Sequence, residues 1–114
     1  MKVVREDRDG IAVLRLEGEF DTLDTELIAV EFEACLREER YRILMDFEAL
    51  TFINSSTIAW LISAQKTLRG HNGEMAFAAP PPFIRNVLST LGLHQIFQIC
   101  DTVEAAAESL RKGM

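Results

Sequence analysis

Four consecutive small polar residues, Asn54, Ser55, Ser56 and Thr57, sit where an apolar strand pattern gives way to a helical one. They bring three hydroxyls and one amide to a point where a helix has unpaired backbone N–H groups. Two kinds of chemistry suit such a turn. A side-chain oxygen of Asn54 or Ser55 can cap the helix, for about 1 kcal/mol. A hydroxyl can also accept a phosphoryl group, because a helix N-terminus offers free N–H donors and a partial positive charge. A phosphoserine adds nearly two negative charges. That change breaks a docked complex by repulsion and desolvation while leaving the fold intact.

The other reactive side chains form no comparable constellation. His71 and His94 each follow an expected helix end near a glycine, without metal-ligand spacing, and read as surface loop residues. Cys35 and Cys100 are far apart in sequence within apolar patterns, and read as buried small hydrophobes. Asp46 and Glu48 fall on one side of a strand end, which reads as solvated rather than as an acid–base or cation site. There is no glycine-rich phosphate loop, no paired-histidine metal motif and no serine nucleophile elbow. The expectation is a chain with no catalytic residues, no cofactor and no metal.

The elements that must position the turn follow from periodicity. Val3–Glu6 and Ile11–Leu16 flank an Asp9–Gly10 turn and predict a β-hairpin. Asp21 or Thr22 caps a helix expected over 22–39, where Leu23, Leu27, Val30, Ala34 and Leu36 lie near helical spacing. Ile43–Met45 is apolar throughout, as for a strand buried on both faces. A second helix runs from the Asn54 turn to about Gly70, with Ile58, Leu61, Ile62, Ala64 and Leu68 inward and Trp60 at the rim. Glu74–Ala78 is a strand. Pro82 starts a third helix whose apolar face is Phe83, Val87, Leu88 and Leu91, and Gly92 ends it. A short strand at Ile96–Ile99 and a last helix over 102–111 complete the order. Strands alternating with helices after a hairpin predict one α/β domain over 1–114, with a mixed sheet of about five strands and about four helices.

The chain has 114 residues and a net charge of −6. That length suits one domain. The acidic field argues against nucleic acid or an anionic membrane as partner, since both need a basic patch. No signal peptide or spanning segment is present in the sequence, so the expected location is cytoplasmic.

With these pieces in order, the sequence resembles the STAS domains, and among them the bacterial anti-sigma-factor antagonists. The resemblance rests on Leu16–Asp21, on Met45–Thr57, on Gly73–Met75 and on Val87–Leu93, and covers nearly the whole chain. It implies a domain that binds an anti-sigma factor, itself a serine kinase with a histidine-kinase-like ATPase fold, and so releases a sigma factor. It implies phosphorylation of the first serine in the turn, which is Ser55 here, with Ser56 and Thr57 as neighbouring hydroxyls, and reversal by a PP2C-type phosphatase. The docking face it implies includes Ser56 and the loop with Glu19 and Asp21; Asn54, Thr57 and the aliphatic pair Ile58 and Ala59, in the turn beside Ser55, are the further expected partner contacts. Two positions depart from the family pattern: Asn54 replaces its aspartate and Thr57 its glycine. The alternative is an unphosphorylated STAS accessory module, such as a subunit of a lipid-transport or larger signalling complex. A domain sensing a small ligand is a weaker third reading. A homodimer is left open.

Overall fold

The computed structural model describes residues 1–113. Strands β1 (Lys2–Arg8) and β2 (Ile11–Glu19) form the hairpin, antiparallel from Lys2 opposite Glu17 to Arg8 opposite Ile11. Asp9 and Gly10 both have positive φ, at 50° and 82°, as a two-residue primed turn requires. Strand β3 (Arg42–Asp46) lies parallel to β2, β5 (Glu74–Ala78) parallel to β3, and β6 (Gln98–Cys100) parallel to β5. The sheet order is β1-β2-β3-β5-β6. The sixth strand, β4 (Leu50–Phe52), was not expected. It pairs with the end of β2 at Gly18 and Glu19, beyond the point where β3 stops opposite Arg15.

Helices α1 (Thr25–Arg37), α2 (Ser55–Arg69) and α3 (Pro82–Thr90) cover one face of the sheet, and α4 (Val103–Lys112) the other. Alternation along the central strands divides the core in two. Leu14, Leu16, Met45 and Phe77 face the three helices, whereas Val13, Leu44 and Ala76 face α4. Both faces are buried, as the apolar run of β3 anticipated. The four helices and six-stranded mixed sheet agree with the predicted α/β class.

Local corrections follow from packing. Asp21 does not start α1 directly; it caps a single 3-10 turn over Thr22–Asp24, and the helix proper begins at Thr25. The buried stripe of α1 is Ile28, Phe32 and Cys35, while Leu23, Leu27 and Val30 point to solvent. On α3 the buried pair is Ile84 and Leu88, with Phe83 and Leu91 exposed. Cys100 is half-buried rather than buried. The last strand begins at Gln98, because a second 3-10 turn occupies Leu93–Gln95.

One polar side chain inside the core had no forecast. The buried Gln65 amide on α2 accepts from Met75 N–H at 2.8 Å and donates to Ile96 O at 3.0 Å and Glu74 Oε2 at 2.8 Å. It therefore bonds α2 to β5 and to the segment before β6. Such a network is tolerable in a core only because its groups are paired.

Candidate functional site

The Asn54 turn is built by the backbone that β4 delivers. Phe20 N–H donates to Phe52 O at 2.9 Å and Gly18 N–H to Ala49 O at 3.0 Å, holding the end of β2 against β4. The chain emerging from β2 at Asp21 therefore lies beside the chain emerging from β4 at Asn54.

Asn54 is extended, with φ −134° and ψ 177°, and is the N-cap of α2. Its Oδ1 accepts from Thr57 N–H at 2.9 Å, and Thr57 Oγ1 accepts in return from Asn54 N–H at 3.1 Å. This is a reciprocal capping box with threonine at the position that glutamate or glutamine usually fills. Ile53 and Ile58, on either side of the box, are buried in the same cluster, at the positions of a hydrophobic staple. The asparagine amide also reaches across to the other loop. Nδ2 donates to Asp21 Oδ1 at 3.2 Å and to Thr22 Oγ1 at 3.1 Å. Asp21 in turn accepts from Thr22 N–H at 2.6 Å, and its own N–H donates to Asp24 Oδ2 at 2.9 Å. Two caps are thus joined into one hydrogen-bonded surface.

The expected residues separate into two groups. Glu19, Asp21, Ser55, Ser56 and Ala59 are exposed and Asn54 is half-buried, with Asp21 and Asn54 bonded to each other. Thr57 and Ile58 are buried and leave the accessible set. The Thr57 hydroxyl is engaged at both ends, since it also donates to Asn54 O at 3.0 Å. Ser55 and Ser56, in the first turn of α2, are the accessible hydroxyls. The bond from Asn54 to Thr22 was not anticipated; its partners are distant in sequence, and only the β2–β4 pairing brings them together.

Other candidates resolve into structural roles. Asp46 is not solvated: it is buried and accepts from Arg15 Nη1 at 3.1 Å and from Glu48 N–H at 3.1 Å, while Glu48 itself is exposed. His71 and His94 are exposed, as expected, and His71 stacks on Tyr41 with ring centroids 4.3 Å apart. Burial pushes the Cys35 thiol up to about 11 and raises Cys100 as well, so neither is a ready thiolate. Trp60 lies at the rim, edge-on to Phe32 at 5.5 Å and to Phe20 at 6.5 Å. Among the described residues, no three His, Cys, Asp or Glu side chains are grouped to hold a metal ion. No described helix is long and apolar enough to cross a membrane.

The fold and turn can now be set beside known proteins. The STAS domain pattern matches residues 2–106. The chain belongs to the STAS domain family. BtrV of Bordetella bronchiseptica, named a candidate anti-sigma factor antagonist, is 25% identical over 114 residues, covering 100% of this STAS chain and 98% of BtrV. The anti-sigma F factor antagonist of Paenibacillus polymyxa is 26% identical over 102 residues, covering 89% of this chain and 87% of that one. Among solved structures, the anti-sigma factor antagonist SpoIIAA in its unphosphorylated form superposes with a TM-score of 0.82 at 25% identity, covering 97% of each chain. The phosphorylated form of Bacillus SpoIIAA shares the fold at a TM-score of 0.73 and 24% identity, covering 95% of this chain and 98% of that one. The relatives of this STAS domain are thus named as anti-sigma factor antagonists.

Proposed function

We propose that this STAS domain is an anti-sigma factor antagonist whose binding is gated by phosphorylation of Ser55. In the unmodified state it binds an anti-sigma factor and frees a sigma factor. The anti-sigma factor is a serine kinase with a histidine-kinase-like ATPase fold, and phosphate transfer to Ser55 dissociates the pair. A PP2C-type phosphatase resets the domain, and the exchange takes place in the cytoplasm.

The observation that carries this reading is an exposed Ser55 in the first turn of α2, on a surface with Asp21 and Asn54, in a chain whose relatives are named anti-sigma factor antagonists. The chemistry is favourable at that position. The helix N-terminus tolerates the added charge, so the domain stays folded. A docked partner would have to desolvate nearly two new charges, which weakens the complex. Ser56, Ala59, Glu19 and Asp21 complete the face that the partner covers.

The test is reconstitution with a serine kinase of the histidine-kinase-like ATPase type from the same genome. After incubation with ATP, peptide mass spectrometry should place one phosphate on Ser55. Ser55→Asp should bind the kinase at least about tenfold more weakly, and Ser55→Ala should bind normally and remain bound in ATP. Wild-type affinity of Ser55→Asp refutes the gate. A stable complex that never transfers phosphate supports a constitutive module instead, a reading favoured by Asn54 standing where the family pattern has aspartate.

A further inference from the structure

Helix α1 and the 3-10 turn before it carry a second, outward apolar row beside the buried stripe. Leu23 is 89% exposed, Leu27 43% and Val30 63%, and the half-buried Ala34 continues the row. The spacing of 23, 27, 30 and 34 alternates four and three, which is the a/d repeat of a helix–helix seam. The residues beside the stripe all have one sign. Asp24 and Glu31 take the e positions, and Glu26 and Glu33 the g positions. Between Arg15 and Arg37 the sequence contains no Lys, Arg or His. Asp24 has the amino group of Met1 at 3.5 Å; Glu26, Glu31 and Glu33 form no ion pair among the described residues.

We propose that the outer face of α1 is a docking surface for an amphipathic helix of a partner protein, aliphatic along its seam and flanked by Lys or Arg. Charge decides the occupant. A second copy of this chain would set carboxylates against carboxylates at every flanking position, which repels. A basic-flanked helix pairs Glu26, Glu31 and Glu33. Place supports the same conclusion. The stripe starts at Leu23, immediately after the Asp21–Thr22 loop that is bonded to Asn54, so a partner covering the Ser55 face has the α1 seam within reach. The surface does not depend on Ser55 being modified.

The test uses two synthetic helical peptides of about 21 residues, or three heptads, with Leu at a and d. One has Lys at e and g, the other Glu. Each is titrated into 15N-labelled wild-type protein and followed by amide chemical shifts. The Lys-flanked peptide should perturb Leu23–Arg37 and bind less tightly as salt rises, whereas the Glu-flanked peptide should not bind. Replacing Leu27→Ser together with Val30→Ser should weaken the Lys-flanked peptide about tenfold or more. Glu26→Lys with Glu31→Lys and Glu33→Lys should reverse the preference, so that the Glu-flanked peptide binds better. Unchanged affinity of the Leu27→Ser, Val30→Ser protein overturns the proposal, because attraction would then be charge alone. Shifts centred away from α1, or preferences that the Lys exchange fails to reverse, also overturn it. So does sedimentation showing a wild-type dimer that the serine substitutions dissociate.

Discussion

Asn54→Asp puts back the carboxylate that the family pattern has at the cap of α2, and the geometry around Asn54 sets its cost. The cap itself survives, because either carboxylate oxygen can accept from Thr57 N–H, now 2.9 Å from Oδ1. What is lost is the Nδ2 donor, with its bonds to Asp21 Oδ1 at 3.2 Å and Thr22 Oγ1 at 3.1 Å. On a largely exposed surface these are worth about 1 kcal/mol net. Two carboxylates then face each other at roughly 4 Å, costing about 1 kcal/mol in water-like surroundings. Negative charge at a helix N-terminus returns about 0.3–1 kcal/mol. The balance is a loss of about 1–2 kcal/mol at neutral pH. Protonating either carboxylate removes the repulsion, so that part of the deficit fades in acid. Asn54→Ala behaves differently: it loses the cap, about 1 kcal/mol, along with the Nδ2 bonds, and its deficit has no acid recovery. Urea unfolding, followed through the single tryptophan Trp60, should be measured for both variants and wild type at pH 7 and pH 4. A full-strength Asn54→Asp protein at pH 7, or a deficit unchanged at pH 4, refutes the contact between the two loops. The same variant should accept phosphate at Ser55 faster than wild type if the missing carboxylate serves transfer, and equal rates would remove that role.

Gln65→Leu fills the same space but leaves Met75 N–H without its 2.8 Å acceptor in the core; unfolding in urea should show a loss of about 2–3 kcal/mol, and a neutral result would mean that the amide network adds nothing. Gly73→Ala would place a Cβ 2.1 Å from the Tyr41 carbonyl oxygen, so thermal unfolding should reveal about 3 kcal/mol of destabilisation, whereas a wild-type Tm would mean that the backbone there yields freely. With burial raising its thiol to about 11, Cys35 should resist a thiol reagent at pH 8 in the native state and react on unfolding. Rapid native labelling of Cys35 would show that the α1 interface opens readily.

Much of the architecture was legible because the relevant signals are local. Asp9–Gly10 specified the hairpin turn, Asn54 the start of α2 and Pro82 the start of α3, each through the φ preference or hydrogen bond that the residue supplies. Strand β4 was not legible: three residues carry too little alternation, and its existence depends on β2 extending past β3. Periodicity left the inward faces of α1 and α3 ambiguous. Around α1 the exposed Leu23, Leu27 and Val30 compete with the buried Ile28, Phe32 and Cys35; on α3 the expected Leu88 is buried and Val87 partly so, but Phe83 and Leu91 are exposed and Ile84 takes their place. At the site, the cap was visible in the sequence, but its bonds to Asp21 and Thr22 span two loops and follow from topology. The burial of Thr57 follows from its role in the capping box, which a reading of the turn as a row of equivalent hydroxyls overlooks.

The engaged hydroxyl of Thr57 acts as a built-in protecting group. A modifying enzyme that meets this turn in its folded form finds Ser55 and Ser56 but not the third oxygen, which both accepts from and donates to the Asn54 backbone. If the turn is modified, the selectivity would be set partly by the fold itself, and an enzyme with loose sequence preference would still leave Thr57 untouched. Only fraying of the first turn of α2 deprotects it, in an opening governed by local stability. Phosphate on Thr57 relative to Ser55 would then gauge how often that helix end comes undone.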